Sequence, residues 1–165
     1  MSENNLHFVE LEEKTDPTGF TSDTHLVVVR GIVVGKDVPT VDGPLEDNPK
    51  HVDGETYCHD LFKGGIWKQT SKQNAFRKQY AGNGMVYNAV KDKFIDTQPH
   101  ASWALDANDD WQAPVPYPTI LEYDDPAKEY VIYWIEDGQH WQAAHEDNPR
   151  TIFHWDASAL TWTAV

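Results

Sequence analysis

One sequence pattern occurs four times in the second half of the chain, and it limits the folds that the chain can adopt. In each copy a bulky apolar residue precedes Asp, Asn or Glu, a polar stretch follows, and an aromatic residue closes the segment. A carboxylate or amide can accept hydrogen bonds from backbone N–H groups two residues on and so fix a turn. Because the flanking residues then face each other on two strands, the pattern predicts four β-hairpins. The copies are YNAVKDKF (87–94), LDANDDW (105–111), IEDGQHW (135–141) and WDASALTW (155–162).

The aromatic residues of these hairpins and of the stretches between them are the candidate interface or ligand-stacking residues. A single hairpin is only marginally stable in water, so the hairpins must pack on one another, on the rest of the chain or on a partner. The aromatics therefore either fill small hairpin cores or form an exposed face. Alternating prolines at 114, 116 and 118 predict an extended, polyproline-like spacer between hairpins. The candidate residues are Trp103, Trp111, Tyr117, Trp134, Trp141, Trp155 and Trp162.

The chain before the hairpins has the patterns of a small α+β module. Apolar, β-branched or alternating residues predict strands at His7–Leu11, His25–Gly35 and Ile66–Thr70, the first two paired with each other. A short helix is predicted from Asp53, as its N-cap, to Gly64-Gly65. One face of this helix would carry Tyr57, Cys58, Leu61 and Phe62, and Val38–Asp53 would be a loop. The predicted fold class is mainly β with one short helix: a small α+β N-terminal module followed by tandem β-hairpins.

Charge is distributed unevenly along the chain, whose net charge is −14. Residues 1–85 contain 13 acidic and 9 basic residues, whereas residues 86–165 contain 14 acidic and 4 basic ones. Six of the seven tryptophans also lie in the second segment. These shifts predict two domains, 1–85 and 86–165. The acidity and the lack of a basic cluster argue against a nucleic-acid partner.

Cysteine content and hydropathy limit the compartment in which the chain is made. Cys58 is the one cysteine, so the chain cannot form an internal disulfide. The first residues show no charged-then-apolar signal pattern, and no apolar run approaches the length of a membrane helix. We therefore expect synthesis in a cytoplasm and no membrane association.

Catalytic and metal-binding patterns are weak throughout. The residues Cys58, His59 and Asp60 are adjacent, but neighbours on a helix point in different directions and zinc needs about four converging ligands. A glycosidase needs two carboxylates at a suitable separation. Many carboxylates of this chain fall at predicted turns, and the simpler interpretation is that they are solvated turn residues. We expect no enzymatic activity, no catalytic residue, no cofactor and no metal. The carboxylates at turns are Asp106, Asp109, Asp110, Glu136, Asp137 and Asp156.

Five stretches of the chain carry a resemblance to a known protein family. They are HFVEL (7–11), VVVRGIVV (27–34), YCHDLFKGGIWKQTS (57–71), FRKQYAGNGMVYNAVKDKFI (76–95) and SWALDANDDWQAPVPYP (102–118). They resemble small virion proteins of tailed bacteriophages, especially phages of marine bacteria and cyanobacteria. The resemblance covers nearly the whole chain and implies an N-terminal hairpin module, then Trp-rich hairpins joined by Pro-Tyr-Pro linkers. The family has a structural role without a catalytic residue set, so it implies no site residue.

The expected function is therefore a non-enzymatic structural component of a phage virion. The chain would dock on other virion proteins, in several copies, either at the tail (baseplate, fibre or collar) or as decoration of the capsid surface. Aromatic anchors and an open strand edge would supply the contacts. The alternative is a carbohydrate-binding adhesion module that recognises glycans of the host surface through exposed tryptophans.

Overall fold

The chain divides into two units between Thr97 and Gln98. A computed structural model describes residues 5–40, 43–45, 52–124 and 126–165. The unit that ends at Thr97 is called the N-terminal unit, and the unit from Gln98 to Val165 is called the hairpin unit. The one helix in the described residues is not long and apolar enough to cross a membrane.

The N-terminal unit is built on a five-stranded antiparallel sheet. Its strands lie in the order β5-β1-β2-β6-β7, while β3 and β4 form a separate two-stranded ribbon. The elements are β1 (Asn5–Thr15), β2 (Thr24–Gly35), β3 (Pro39–Thr40), β4 (Gly43–Pro44), α1 (Val52–Phe62), β5 (Ile66–Thr70), β6 (Val86–Asn88) and β7 (Lys93–Ile95).

The long β1–β2 hairpin confirms the predicted pairing of the first two strands. Its register runs from Asn5 opposite Gly35 to Thr15 opposite Thr24. A β-bulge shifts the register between Glu10 and Leu11, which locally bends the strand and increases the twist of the hairpin. Strand β1 is six residues longer than the predicted His7–Leu11 strand, two at its start and four at its end, where exposed polar residues such as Glu12 and Glu13 continue the ladder.

The sheet of the N-terminal unit packs a separate apolar cluster on each face. One cluster places Phe8 against helix α1. The other joins Val9 and Val28 of the first hairpin to Tyr87 and Phe94 of the β6–β7 hairpin. Burial of both clusters fixes the alternation of β1, since a one-residue slip would exchange its two faces.

Helix α1 differs from its prediction in two respects. It begins at Val52, so Asp53 lies in the first turn and not at the N-cap, where its charge still complements the helix dipole. Of the predicted apolar face, Cys58 is fully buried, but Leu61 and Phe62 are 54% and 38% exposed because the last turn extends past the core. The helix ends as predicted at Gly64 and Gly65, both with positive φ.

The predicted loop Val38–Asp53 is described only in part. Within it the structure describes the β3–β4 ribbon, in which Pro39 lies opposite Pro44, and the buried Leu45. Residues 41–42 and 46–51 of this predicted loop lie outside the described residues.

The hairpin unit is an antiparallel meander. Five strands follow one another in the order β10-β11-β12-β13-β14, and β8 and β9 form a separate ribbon. Together with the first sheet and the single helix, this confirms the predicted mainly β fold class. The strands are β8 (Ala104–Leu105), β9 (Trp111–Gln112), β10 (Glu122–Tyr123), β11 (Lys128–Ile135), β12 (His140–His145), β13 (Ile152–Asp156) and β14 (Thr161–Ala164).

All four predicted hairpins are present. The facing pairs are Tyr87–Phe94, Leu105–Trp111, Trp134–Trp141 and Trp155–Trp162. A residue with positive φ stands two positions before the closing aromatic in every copy, as is common where a hairpin loop ends in a left-handed residue. These residues are Asp92, Asp109, Gln139 and Leu160.

The first of the four hairpins does not belong to the tandem array. Leu26 and Val27 of β2 pair with Tyr87 and Val86, so the β6–β7 hairpin completes the N-terminal sheet. The boundary therefore lies at Thr97/Gln98, and the predicted division into 1–85 and 86–165 is displaced by twelve residues. The reason is burial: Tyr87 and Phe94 fill the core beneath β1 and β2.

Candidate functional site

Three of the candidate aromatic residues form the core of the hairpin unit. Trp134, Trp141 and Trp155 are only 7%, 6% and 7% exposed and pack together in one cluster. The rings of Trp134 and Trp141 meet edge to face with their centroids 5.1 Å apart. Aromatic pairs favour this geometry. Of the two expectations for the aromatic residues, these three rings therefore fit the hairpin core and not an exposed face.

The stretch from Trp103 to Tyr117 packs on this tryptophan core. Trp103 is partly buried, and its ring lies 5.9 Å from that of Trp141. The indole Nε1 of Trp141 donates to the Val115 carbonyl over 2.9 Å. The Tyr117 ring meets Trp141 edge-on at 4.9 Å and stays 55% exposed. The proline-bearing segment is therefore more than a spacer: it forms part of the core.

The remaining two candidates are partly exposed tryptophans. Trp111 lies opposite Leu105 in the β8–β9 ribbon. Trp162 packs on Trp155 with ring centroids 5.1 Å apart, and its Nε1 donates to the Ile120 carbonyl over 2.8 Å. Of the seven candidates, then, three are core, three are partly exposed and Tyr117 is exposed.

The turn residues act as predicted in three of the four hairpins. The side chains of Asn88, Asp106 and Asp156 accept hydrogen bonds from backbone N–H groups two to four residues on. Asp109 is an exception to the expected solvation of turn carboxylates, since it is only 2% exposed.

Glu136 instead links its hairpin to the chain that precedes it. Its carboxylate accepts from the Trp134 indole at 2.9 Å and from the backbone N–H and hydroxyl of Ser102, both at 2.8 Å. These hydrogen bonds, that from Trp134 foremost, lower the pKa of Glu136. The carboxylate thus anchors the covering segment on the sheet.

A second aromatic cluster lies on the same face of the sheet. We call it the aromatic platform. Tyr123 and His145 stack with ring centroids 3.8 Å apart and an interplanar angle of 4°. Tyr130 lies 5.5 Å from Phe153 and 5.4 Å from Trp162. All five rings stay partly exposed. The platform consists of Tyr123, Tyr130, His145, Phe153 and Trp162.

Charged side chains border the platform. Asp147 accepts from the Tyr123 hydroxyl at 2.9 Å and from Lys128 Nζ at 2.6 Å. The hydrogen bond from Lys128 is the main cause that lowers the pKa of Asp147, and the same bond raises the pKa of Lys128. Asp124 lies 3.9 Å from Lys128. An aromatic surface therefore adjoins hydrogen-bonding carboxylates.

Sequence reasoning identified Trp162 and missed the other four platform residues. Tyr130, Ile132 and Trp134 alternate along β11, which places Tyr130 on the face of the tryptophan core. That alternation is visible in the sequence KEYVIYWI. The contributions of Tyr123, His145 and Phe153 depend on the register of β10, β12 and β13, which no local pattern reveals.

The most buried ionic network lies in the N-terminal unit. Arg77 donates to Glu55 and to Asp92, each at 2.6 Å. Asp92 also accepts from the Tyr87 hydroxyl, and burial together with this bond raises the pKa of Tyr87. Glu55 further accepts from Lys68. The network joins α1, β5 and the β6–β7 hairpin. Each of its charged side chains therefore bonds to a residue of a different structural element.

Cys58, His59 and Asp60 differ in their exposure to solvent. Cys58 is fully buried, and burial raises the pKa of its thiol to about 12. His59 and Asp60 are exposed, as expected for neighbours on a helix. Among the described residues, no group of three or more His, Cys, Asp or Glu side chains could hold a metal ion.

Comparison of the chain with protein-family models, with curated proteins and with solved structures finds no match.

Proposed function

We propose that this chain is a non-enzymatic structural component of a tailed-phage virion that docks on tail or capsid-surface proteins. The observation that carries the proposal is the aromatic platform, which remains partly exposed beside a completed tryptophan core. Surface clusters of tyrosine, phenylalanine and tryptophan are typical of protein interfaces. The resemblance of nearly the whole chain to small virion proteins supports the same conclusion.

The use of charge inside the chain also supports a structural role. Glu55 and Arg77 are almost out of solvent, and their hydrogen bonds connect a helix, a strand and a hairpin. Loss of one partner would leave the other charge buried and unpaired, so the pair holds these three elements together. The platform, by contrast, places its aromatic rings where another molecule can reach them.

Co-sedimentation with virion subassemblies tests the proposal. Purified full-length chain would be mixed with separated capsids and separated tails that lack it, then pelleted through a cushion. We expect saturable recovery with one of the two fractions, and loss of that recovery for Tyr130→Ala. Tyr133→Ala, on the opposite face of the same strand and also partly buried, is the matched control. Recovery with neither capsids nor tails would contradict the proposal.

A carbohydrate-binding adhesion module is the second candidate function. The observation that favours it is the stacked Tyr123–His145 pair beside the Asp147 carboxylate, since aromatic faces and carboxylates together suit a sugar ring. Addition of host-surface polysaccharide would then protect Trp162 from acrylamide. Trp134, Trp141 and Trp155 should be poorly quenched with or without the polysaccharide, because they are buried.

A further inference from the structure

The platform is the more exposed end of a continuous sheet face. Tyr130, Ile132 and Trp134 lie on this face of β11, and their partners His145, Ala143 and Trp141 lie on it in β12. At the tryptophan end, residues 103–117 lie over the face. At the tyrosine end the rings stay partly exposed. The aromatic rings of this face are therefore buried at one end and partly accessible at the other.

The charge around the platform selects a cationic occupant. Asp147 and Asp124 border it with side chains 55% and 59% exposed, and Lys128 lies within 4 Å of both, so these three groups together carry one negative charge. The hairpin unit as a whole contains twelve acidic residues against two basic ones, Lys128 and Arg150. Aromatic faces carry negative electrostatic potential and attract cations. A surrounding excess of carboxylates adds to that attraction and steers a positively charged partner toward this unit.

The N-terminal unit shows how this chain holds a guanidinium. Phe62 and Trp67 stack with centroids 4.9 Å apart, and the Arg30 guanidinium carbon lies 4.4 Å and 5.2 Å from their ring centres. Arg30 Nε also donates to the Glu10 carboxylate. The binding elements are thus a stacked ring pair and one adjacent carboxylate.

The platform offers the same two binding elements. Tyr123 and His145 form the stacked pair, and Asp147 is the adjacent carboxylate. No arginine of the described residues is found over these rings. A guanidinium prefers such a site to an ammonium because it is planar, stacks on rings and binds carboxylates through two N–H groups.

We propose that the aromatic platform docks on an arginine-bearing surface of a partner protein. Arginine side chains of the partner stack on Tyr123, Tyr130 and His145 and donate to Asp147. This inference rests on the proposed docking function and names the chemistry of the partner.

A short blocked peptide of alternating Arg and Gly is the probe. It would be titrated into the isotope-labelled full-length chain, and resonances would be followed by NMR. We expect shift changes confined to the platform and its border, weakening as salt is raised. The Lys-Gly peptide should bind about threefold more weakly, and a Gln-Gly peptide should cause no localised change.

Three variants make the assignment to the platform specific. Tyr130→Ala removes a ring face, and Asp147→Asn removes the carboxylate charge while keeping its shape. Each should weaken binding of the Arg-Gly peptide by about threefold to tenfold. Tyr133→Ala, on the opposite face of β11, should leave it unchanged. If Tyr130→Ala proves unfolded by its amide spectrum, Asp147→Asn alone decides, because its substitution is isosteric.

Two outcomes would overturn the proposal. One is a lack of localised shifts with the Arg-Gly peptide at millimolar concentration. The other is an equal response to a neutral oligosaccharide, which would identify a glycan-binding face. If the chain co-sediments with tails or capsids but does not bind the Arg-Gly peptide, only the arginine chemistry is refuted. Peptide binding without any such recovery would refute the docking function and leave the ligand class in place.

Discussion

The Arg77 guanidinium lies 2.6 Å from the Glu55 carboxylate, with side chains only 4% and 10% exposed, and this pair ties helix α1 to the loop before β6. Arg77 also donates to the Gln69 carbonyl and to Asp92. Its backbone has a φ of 55°, and its carbonyl accepts from the Phe94 N–H. Side chain and backbone are therefore both held, which explains how an unfavourable left-handed conformation persists at a non-glycine residue.

Replacement of Arg77 should be strongly destabilising. Arg77→Ala leaves Glu55 buried without its main partner, and we expect a loss of about 3–5 kcal/mol in the free energy of unfolding. Urea denaturation followed by circular dichroism measures this. Lys14→Ala is the control, because Lys14 and its partner Glu12 are 47% and 57% exposed. An exposed pair should contribute only about 0.2–1 kcal/mol. Equal losses for the two variants would contradict this interpretation.

Gly54 should not tolerate a side chain. A Cβ built there would lie 2.7 Å from Cε1 of Phe8, and closer still to Cζ, beneath a ring that is fully buried. We expect Gly54→Ala to destabilise the chain by about 1–3 kcal/mol through overpacking, in spite of the better helix propensity of alanine. Gly82→Ala is the control, since its Cβ would meet only Met85 at 3.7 Å. Both are read from thermal or urea unfolding.

Leu160 should be a site of stabilisation. It has a φ of 52°, a strained value for leucine, and its side chain is 57% exposed. Leu160→Gly relieves that strain and loses little burial, so we expect a gain of about 0.5–1 kcal/mol. Ala159→Gly, in the same turn, is the control. It only adds conformational freedom to the unfolded chain, so it should lower the free energy of unfolding. A lower melting temperature for Leu160→Gly would contradict the backbone argument.

Asp16 should make the thermal stability of the chain depend on pH in the acidic range. Hydrogen bonds from the Thr18 side chain and backbone are the main cause that lowers its pKa from 3.8 to about 2. A lowered pKa in the folded state stabilises the fold fully above pH 3.8, and the contribution disappears as pH falls toward 2. The difference in melting temperature between the natural chain and Asp16→Asn should therefore shrink over this range. A difference that stays constant over this range would contradict the argument.

Cys58 should be inert in the folded chain. Burial raises the pKa of its thiol to about 12, so the reactive thiolate is scarce at neutral pH. We expect almost no alkylation by iodoacetamide at pH 8 and complete alkylation in denaturant, as measured by mass spectrometry. Rapid labelling of folded protein would mean that helix α1 opens locally.

Much of the local structure was predictable, because hairpins depend on residues that are close in sequence. The pattern at Asp106 and Trp111 specifies both the turn and the facing pair, and the hairpin forms as expected. Helix α1 was also found, with its glycine end correct and its start misplaced. Its exposed last turn was not foreseen, because Leu61 and Phe62 look like core residues when only helical spacing is considered.

The sequence by itself determined the mainly β class, the four hairpins and the aromatic residues from which any surface must be built, since turn chemistry and strand alternation act over a few residues. Only the tertiary structure decided which tryptophans are buried, because burial depends on what the chain folds over them. It also assigned the Tyr87–Phe94 hairpin to the first sheet, through pairing with β2. The Glu55–Arg77 pair and the platform, whose rings come from β10 to β14, likewise required strand register and long-range packing.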